Sequence, residues 1–371
     1  MIVVFRADAS LDIGTGHVMR CLTLGRALRG VGAACRFVTR ALPGHLADRI
    51  EDEGFEVSLL RSASGVRPEG PPTHAHWAGV DWADDAAETR DALSTNPADF
   101  VVLDHYAFDA RWQKAVGAPG TRLMVIDDLA DRSHHCDLIL DQNFGRAPAD
   151  YDGLVPKDCK RLIGPRYALL RPEFAELRAS AVARRSKRLG PRHLHITMGG
   201  VDRADATSVV LKAIRGAVLP PDMQITVIMG SKAPALDRVL ALVRSLPFQS
   251  EVVVDSDNMA AHMASADLAI GAGGSTTWER CCLGLPSIIV ETAENQAGIA
   301  ARMAAAGAAF DCGPVNSTDF KSRLQSALAR ARAPENLSRM ARACSELCDG
   351  QGAQRAVAQM MASADYSKAA S

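Results

Sequence analysis

A chain of 371 residues with 47% hydrophobic and 23% charged side chains is globular, too long for one ordinary core and sufficient for two domains. A formal net charge of −1 leaves none of the basic surplus with which proteins hold nucleic acid through phosphates. Nine cysteines, odd in number and without a CxxC pair, suit reduced thiols rather than a disulfide framework or a zinc site.

The first apolar run, residues 2–5, meets Arg6 and Asp8 at once. It is too short for a signal-peptide core and reads as a strand buried on both faces. No apolar stretch approaches the ~20 residues that span a membrane, so a cytoplasmic protein without stable membrane insertion is expected. A glycine-containing loop then leads to an amphipathic helix over 18–28. Further strands are predicted at 34–39, 56–59, 100–103, 123–126 and 138–140, with helices over 45–53 and 82–93 between them. Strands alternating with helices predict a parallel sheet. The Pro- and Gly-rich stretch 62–73 reads as a surface loop.

Residues 164–190 are rich in Arg, Ala and Ser and read as the connection between domains, with a helix over 172–184. The basic run Arg184-Arg185-Ser186-Lys187-Arg188 reads as a solvated linker. The alternation restarts with strands at 193–198, 225–229, 251–254, 268–270 and 287–290, and a helix opening near Ser275. The last ~50 residues read as helical and are expected to pack back across the cleft. The predicted fold class is therefore α/β, with two Rossmann-like domains facing a cleft. The expected domains are 1–165 and 191–371, with 166–190 as linker.

Polar motifs end almost every predicted strand, the edge at which open α/β sheets bind ligands. The first is Asp8 followed by Gly14-Thr15-Gly16-His17. Gly14 and Gly16 allow close backbone approach. His17 falls at a helix start, where the positive dipole end disfavours imidazolium and leaves an imidazole able to accept a proton. The same position also suits a histidine bonded to a loop carbonyl. Asp104-His105-Tyr106, Asp127-Asp128 and Asp141-Gln142-Asn143 end the next strands. Paired acids there can cap turns, bind a metal or bond sugar hydroxyls. Sugar binding is the preferred reading for Asp8, Asp104, Tyr106 and Asn143. No set of His, Cys and carboxylates has a convincing ligand spacing, so no metal or other cofactor is expected.

The strongest motif is Gly271-Ala272-Gly273-Gly274-Ser275-Thr276-Thr277-Trp278-Glu279. Glycines before a helix expose N–H groups to a phosphate, and Ser275 and Thr276 add hydroxyls. Glu279, one turn on, is placed to reach a ribose diol. The loop lacks the lysine of a P-loop. Asn295 and Gln296 begin another helix, and Gly199-Gly200 ends the strand over 193–198, so all are expected along the same edge.

Together these motifs resemble a known family. The GxGH loop and the late GxGGSTxxE loop look like those of MurG-like glycosyltransferases of the GT-B fold. More narrowly, RADAS, IGTGH, LDHY, DDLADR, LDQNF, GPRYALLRPEF, GGVD, GAGGSTTWE and ENQ, in this order, are similar to the UDP-sugar hydrolases of the pseudaminic-acid pathway. The resemblance implies a UDP-activated diacetamido-trideoxyhexose as substrate and release of UDP by water with inversion. It also implies His17 as the essential histidine, with Gly273, Gly274, Ser275, Thr276 and Glu279 holding UDP. It carries no information about the loop at 62–73, the C-terminal tail or the oligomeric state. A MurG-like transferase, a UDP-sugar epimerase and a noncatalytic nucleotide-sugar-binding protein are the competing readings.

Overall fold

The computed structural model describes residues 1–62, 68–94, 96–187, 190–293 and 296–368. The chain forms two compact units, Met1–Leu169 with Gln351 onward, and Leu170–Gly350.

The first unit is built on seven strands: β1 (Ile2–Ala7), β2 (Ala34–Arg40), β3 (Glu56–Leu60), β4 (Phe100–Asp104), β5 (Arg122–Ile126), β6 (Leu138–Asp141) and β7 (Lys160–Ile163). Every pairing is parallel, in the order β3-β2-β1-β4-β5-β6-β7. The chain moves from β1 outward to β3 and returns to start β4 on the other side of β1. The switch point thus lies between β1 and β4, where a crevice opens at the carboxyl ends. Alternation divides the side chains between two faces. Val3, Phe5, Phe100 and Val102 meet α1 (Gly16–Gly30) and α2 (Ala47–Asp52) on one face. Val4, Val38, Val101 and Leu103 meet α3 (Trp82–Ser94) and α4 (Ala110–Val116) on the other.

The second unit begins with α5 (Pro172–Arg185) and continues through β8 (His193–Thr197), α6 (Ala206–Ile214), β9 (Gln224–Met229), α7 (Leu236–Arg244), β10 (Gln249–Val254), α8 (Met259–Ser265), β11 (Leu268–Ala272), α9 (Thr276–Cys282), β12 (Ser287–Glu291), α10 (Ala297–Ala305), β13 (Ala309–Pro314), α11 (Phe320–Ala331) and α12 (Pro334–Leu347). Its parallel sheet runs β10-β9-β8-β11-β12-β13, so its switch point lies between β8 and β11. The last helix, α13 (Gly352–Lys368), belongs to the first unit. Its Ala353, Ala356, Val357 and Met360 fill the core beside α1.

Two sequence expectations need correction. The stretch 166–190 is not a linker, because α5 is part of the second unit. Of its basic run, Lys187 is exposed and Arg188 lies outside the described residues, but Arg184 and Arg185 are not solvated. Arg185 is buried and donates to the carbonyls of Met263, Ala266 and Leu283, and Arg184 pairs with Asp267 at 2.6 Å. These cations meet the carbonyls that end α8 and follow α9, where helix dipoles favour positive charge. The C-terminal helix likewise does not complete the second unit, since its apolar stripe supplies core to the first. Among the described residues no helix is long and apolar enough to cross a membrane.

The docking of α13 rests on a close backbone approach. A Cβ on Gly352 would stand 2.2 Å from the Ala168 carbonyl oxygen. Gly352→Ala is therefore expected to lower unfolding free energy in urea by about 1–3 kcal/mol, the range for overpacking a tight contact. Gly200→Ala, where a Cβ meets nothing within 4 Å, should leave it unchanged.

Candidate active site

The loop after β1 is a small hairpin. Ser10 and Gly14 exchange both backbone hydrogen bonds, and the Ser10 hydroxyl accepts from the N–H groups of Asp12 and Ile13. Gly14 closes it at φ +80°, a left-handed conformation that disfavours side chains. The chain then enters α1 at Gly16, and a Cβ at either glycine would face open space. His17 is the second residue of the helix and only 7% exposed.

His17 Nδ1 lies 2.6 Å from Oδ1 of Asp104, the last residue of β4 and the neighbour of β1 across the switch point. Arg20, one turn further along α1, grips the same carboxylate with two bonds, Nε to Oδ2 at 2.6 Å and Nη2 to Oδ1 at 2.7 Å. Burial alone would push the Asp104 carboxyl up, but the charge of Arg20, with hydrogen bonds from Arg20 and His17, outweighs it and holds the group well below the usual carboxylate range. An ionised Asp104 accepts, so His17 Nδ1 carries a hydrogen, and in the neutral imidazole Nε2 then bears the lone pair. That is the tautomer of a general base, assigned from the hydrogen bond. Arg20 Nη1 also donates to Asp128 Oδ2 at 2.6 Å, and the Tyr106 hydroxyl donates to that oxygen at 2.5 Å. The Tyr106 ring stands nearly perpendicular to His17, at 83° with centroids 4.6 Å apart. One charged chain thus joins His17, Asp104, Arg20, Asp128 and Tyr106.

The structure brings the strand-end motifs of β1, β4, β5 and β6 to one edge, but it reassigns several members. Asp8 is fully buried. It accepts from Arg6, from Thr39 and from the Arg40 N–H, with His105 Nε2 at 3.2 Å. Its carboxylate closes an ion-pair network with Asp85 and Arg40, so it is not a sugar contact. Asp104 is equally buried, and its carboxylate is taken up by His17 and Arg20, so it too is not a sugar contact. Asn143 donates to the Asp128 carbonyl at 3.1 Å and supports that loop. Asp127 is held by Arg132 at 2.9 Å, Tyr151 at 2.9 Å and the Ala130 N–H at 2.8 Å. Its oxygens are thus already engaged within the protein, with Arg132 as the ion-pair partner. Among the described residues, no group of three or more His, Cys, Asp or Glu side chains is placed to hold a metal ion. Arg20 was not singled out from sequence, although its place three residues after His17 puts both on one helix face.

In the second unit, Gly199-Gly200 lies beyond the end of β8 and Gly273–Ser275 follows β11, so both loops flank the switch point. Gly200 is fixed from β9: its carbonyl accepts from Gly230 N–H at 2.9 Å, and a Cβ on Gly230 would stand 2.5 Å from that oxygen. Asp202 accepts from the N–H groups of Ala206 and Thr207 and so caps α6. Gly271 makes room for buried Arg280, whose Nη1 would lie 2.4 Å from a Cβ there. Arg280 in turn donates to the Ala272 carbonyl and to the hydroxyls of Thr276 and Thr277, which holds the glycine loop onto α9. Ser275 is exposed and does not use its hydroxyl as a cap. Gln296 packs 3.3 Å from the Cβ position of Gly273. Glu279 is 17% exposed and lies 3.9 Å from Arg171; burial pushes its carboxyl up, and Arg171 opposes that. The structure thus brings Gly273, Gly274, Ser275, Thr276, Glu279 and Gln296 together. Asn295 lies outside the described residues.

Behind the first site, the Tyr151 hydroxyl stands between Asp127 Oδ2 at 2.9 Å and Asp141 Oδ2 at 3.0 Å. One hydrogen can serve only one of them. Burial, helped by the charges of Asp128 and Asp127 and opposed by the Asn143 N–H and by Arg146 at 3.1 Å, pushes the Asp141 carboxyl up to about 7, and the protonated form can supply the second hydrogen of the bridge. A carboxyl with a raised folded-state pKa binds its proton more tightly in the fold. Its contribution to stability therefore falls as pH rises from the unfolded value near 4 to about 7, and is level above that. Asp141→Asn should remove this dependence. The difference in unfolding free energy between wild type and variant should fall across that window by about 1.4 kcal/mol per pH unit. A level difference from pH 4 to 7 would mean that Asp141 ionises normally.

The profile of the glycosyltransferase family 28 C-terminal domain matches residues 196–359. In sequence, the chain is 26% identical over 284 residues to the UDP-2,4-diacetamido-2,4,6-trideoxy-β-L-altropyranose hydrolase of Campylobacter jejuni, covering 76% of this chain and 89% of that one. It is 29% identical over 153 residues to the spore coat polysaccharide biosynthesis protein SpsG of Bacillus subtilis, covering 40% of this chain and 43% of that one. In structure it matches MurG of Acinetobacter baumannii with a TM-score of 0.71 at 16% identity, over 97% of this chain and 99% of the other. The UDP-GlcNAc 2-epimerase of Neisseria meningitidis matches with a TM-score of 0.64 at 10% identity, over 97% and 99%. The chain is an α/β protein with the MurG-like GT-B fold, and its sequence resembles that of the UDP-diacetamido-trideoxy-altropyranose hydrolase.

Proposed function

We propose that this chain is an inverting nucleotide-sugar hydrolase that releases UDP from UDP-2,4-diacetamido-2,4,6-trideoxy-β-L-altropyranose, the compound for which its Campylobacter jejuni relative is named. The observation that carries the reading is the His17–Asp104 pair at the switch point of the first unit. His17 Nε2 takes a proton from water as the water oxygen bonds to the anomeric carbon. The bond from that carbon to the diphosphate oxygen breaks, and its electron pair leaves with UDP. The product is the free sugar with inverted configuration, as a single displacement requires. His17 then returns its proton to solvent. Asp104 remains ionised and stabilises the imidazolium formed in passing.

UDP is a weakly basic leaving group, so stabilising its charge matters more than protonating it. The reading gives that task to the second unit: N–H groups and hydroxyls of Gly273, Gly274, Ser275 and Thr276, with Gly199 and Gly200 beside them and Glu279 on the ribose. The reading also assigns Asn295 and Gln296 to substrate binding. Tyr106 faces the sugar with His17. The reading includes a place in pseudaminic-acid synthesis in the cytoplasm, in keeping with nine free cysteines. A second reading, transfer of the sugar to an acceptor, is favoured by the family 28 match and the MurG-like fold.

Incubation with the UDP-sugar alone separates the two readings. Hydrolysis predicts equal amounts of UDP and free sugar without acceptor, and undiminished turnover after chelator treatment. Transfer predicts release only when an acceptor is added. His17→Asn should lower turnover by on the order of 10²–10⁴, the usual weight of general base catalysis, while leaving UDP affinity near wild type. UDP should slow amide hydrogen exchange at residues 273–279. Protection confined to the first unit would move the nucleotide site away from the glycine loop.

A further inference from the structure

The loop between β3 and α3 ends in a single 3-10 turn, Ala75–Ala78, that carries Trp77. The turn is firmly held. Gly79 closes it at φ +70°, with Leu42 Cδ2 3.0 Å from where a Cβ would be, and Ala78 is buried. Arg111 on α4 donates to the Pro71 carbonyl at 2.8 Å. Trp77 stacks on Tyr106, with centroids 5.6 Å apart and planes 23° apart, and meets His17 edge-on at 6.4 Å. His74 lies against the indole at 4.6 Å, and burial lowers its pKa, which favours the uncharged ring.

Of the four tryptophans, Trp112 and Trp278 are buried at 0% and 1% exposed, while Trp77 and Trp82 are partly buried against the first unit's core, and of the two partly buried ones Trp77 is the one that meets His17 and Tyr106. Part of its indole stays open while its neighbours are the base and the tyrosine beside it. Tyr106 cannot swing away, because its hydroxyl is bonded to Asp128. The result is a fixed aromatic face at His17, with Arg132 5.7 Å from the centroid of the Tyr106 ring and Asp128 bonded at its hydroxyl. Such a surface matches methyl groups and the C–H face of a pyranose, and it offers nothing to a hydroxyl that loses its water.

We propose that Trp77 is a specificity-determining residue of the sugar site. It contacts the apolar substituents of a deoxy, N-acylated hexose and disfavours sugars with a free C6 hydroxyl. The inference rests on the assignment of His17 as the hydrolytic base.

The test compares wild type, Trp77→Ala and Trp77→Phe on UDP-2,4-diacetamido-2,4,6-trideoxy-β-L-altropyranose and on UDP-N-acetylglucosamine. In Trp77→Ala, KM for the deoxy sugar should rise about 10- to 100-fold with a smaller change in kcat, and preference over the hydroxylated sugar should fall by a similar factor. Inhibition by UDP should be unchanged, and Trp77→Phe should recover most of the loss. An alanine variant with wild-type KM and preference overturns the proposal, as does a loss of UDP inhibition in step with rate. A readout independent of turnover is magnetisation transfer in ligand-observed NMR, from irradiated indole protons to the methyl groups of the bound deoxy sugar. The transfer should be present in wild type and lost in Trp77→Ala. If wild type releases no UDP but that transfer holds, the hydrolase reading falls and the Trp77 contact stands. If the transfer is absent from wild type, the contact itself is refuted.

Discussion

The guanidinium of Arg20 holds two carboxylates that would otherwise repel each other at one sheet edge. Asp104 takes two of its hydrogen bonds and Asp128 a third. Ion pairs out of water are costly to assemble and far more costly to break from one side, where an unpaired charge is left behind, at about 3–5 kcal/mol. The arrangement is therefore weak as a source of stability and strong as a constraint on geometry. It fixes the Asp104 carboxylate, which sets the His17 tautomer. It fixes Asp128, which sets the Tyr106 ring, and through that ring the position available to Trp77.

The second unit solves a related problem with one arginine and no acid partner on the loop. Arg280 is buried and bonded to a carbonyl and two hydroxyls of the segment that precedes and opens α9. Its bulk is accommodated by the missing side chain of Gly271. Of the glycines in that motif, then, one serves packing inside the protein. The neighbouring Gly274, with open space where a Cβ would be, is the one free to face a ligand.

Sequence alone made the central strands legible because each is a short apolar run covered on both faces. It missed β7 and β13, which are both edge strands. Lys160-Arg161-Leu162-Ile163 opens on two charged residues and 309–314 ends in Gly313-Pro314, so neither shows a clear apolar run, whereas β3 and β10, also edge strands, keep Leu59-Leu60 and Val252–Val254. His17, Asp104 and Tyr106 meet in the structure because strand ends at a switch point gather in space, although Asp104, expected on the sugar, is buried and bonded to His17. Asp8 was misjudged because a strand-end carboxylate facing ligand and one closing a buried ion pair look alike. The available signal was Arg6, which strand alternation sets on the same face. Its other partner, Asp85, is 79 residues away and could not be inferred. Trp77 lies on a turn with no periodicity to mark it.

The return of α13 to the first unit bears on how the chain acquires its structure during synthesis. Residues 170–350 are continuous and can fold as soon as they have left the ribosome. The first unit, although made earlier, lacks Ala353, Ala356, Val357 and Met360 until nearly the whole chain has emerged. Until then the apolar flank of α1 stays open to water or to a chaperone. A ribosome stalled near residue 340 would thus still lack the helix that closes the unit bearing His17, although every strand of that unit had been made long before.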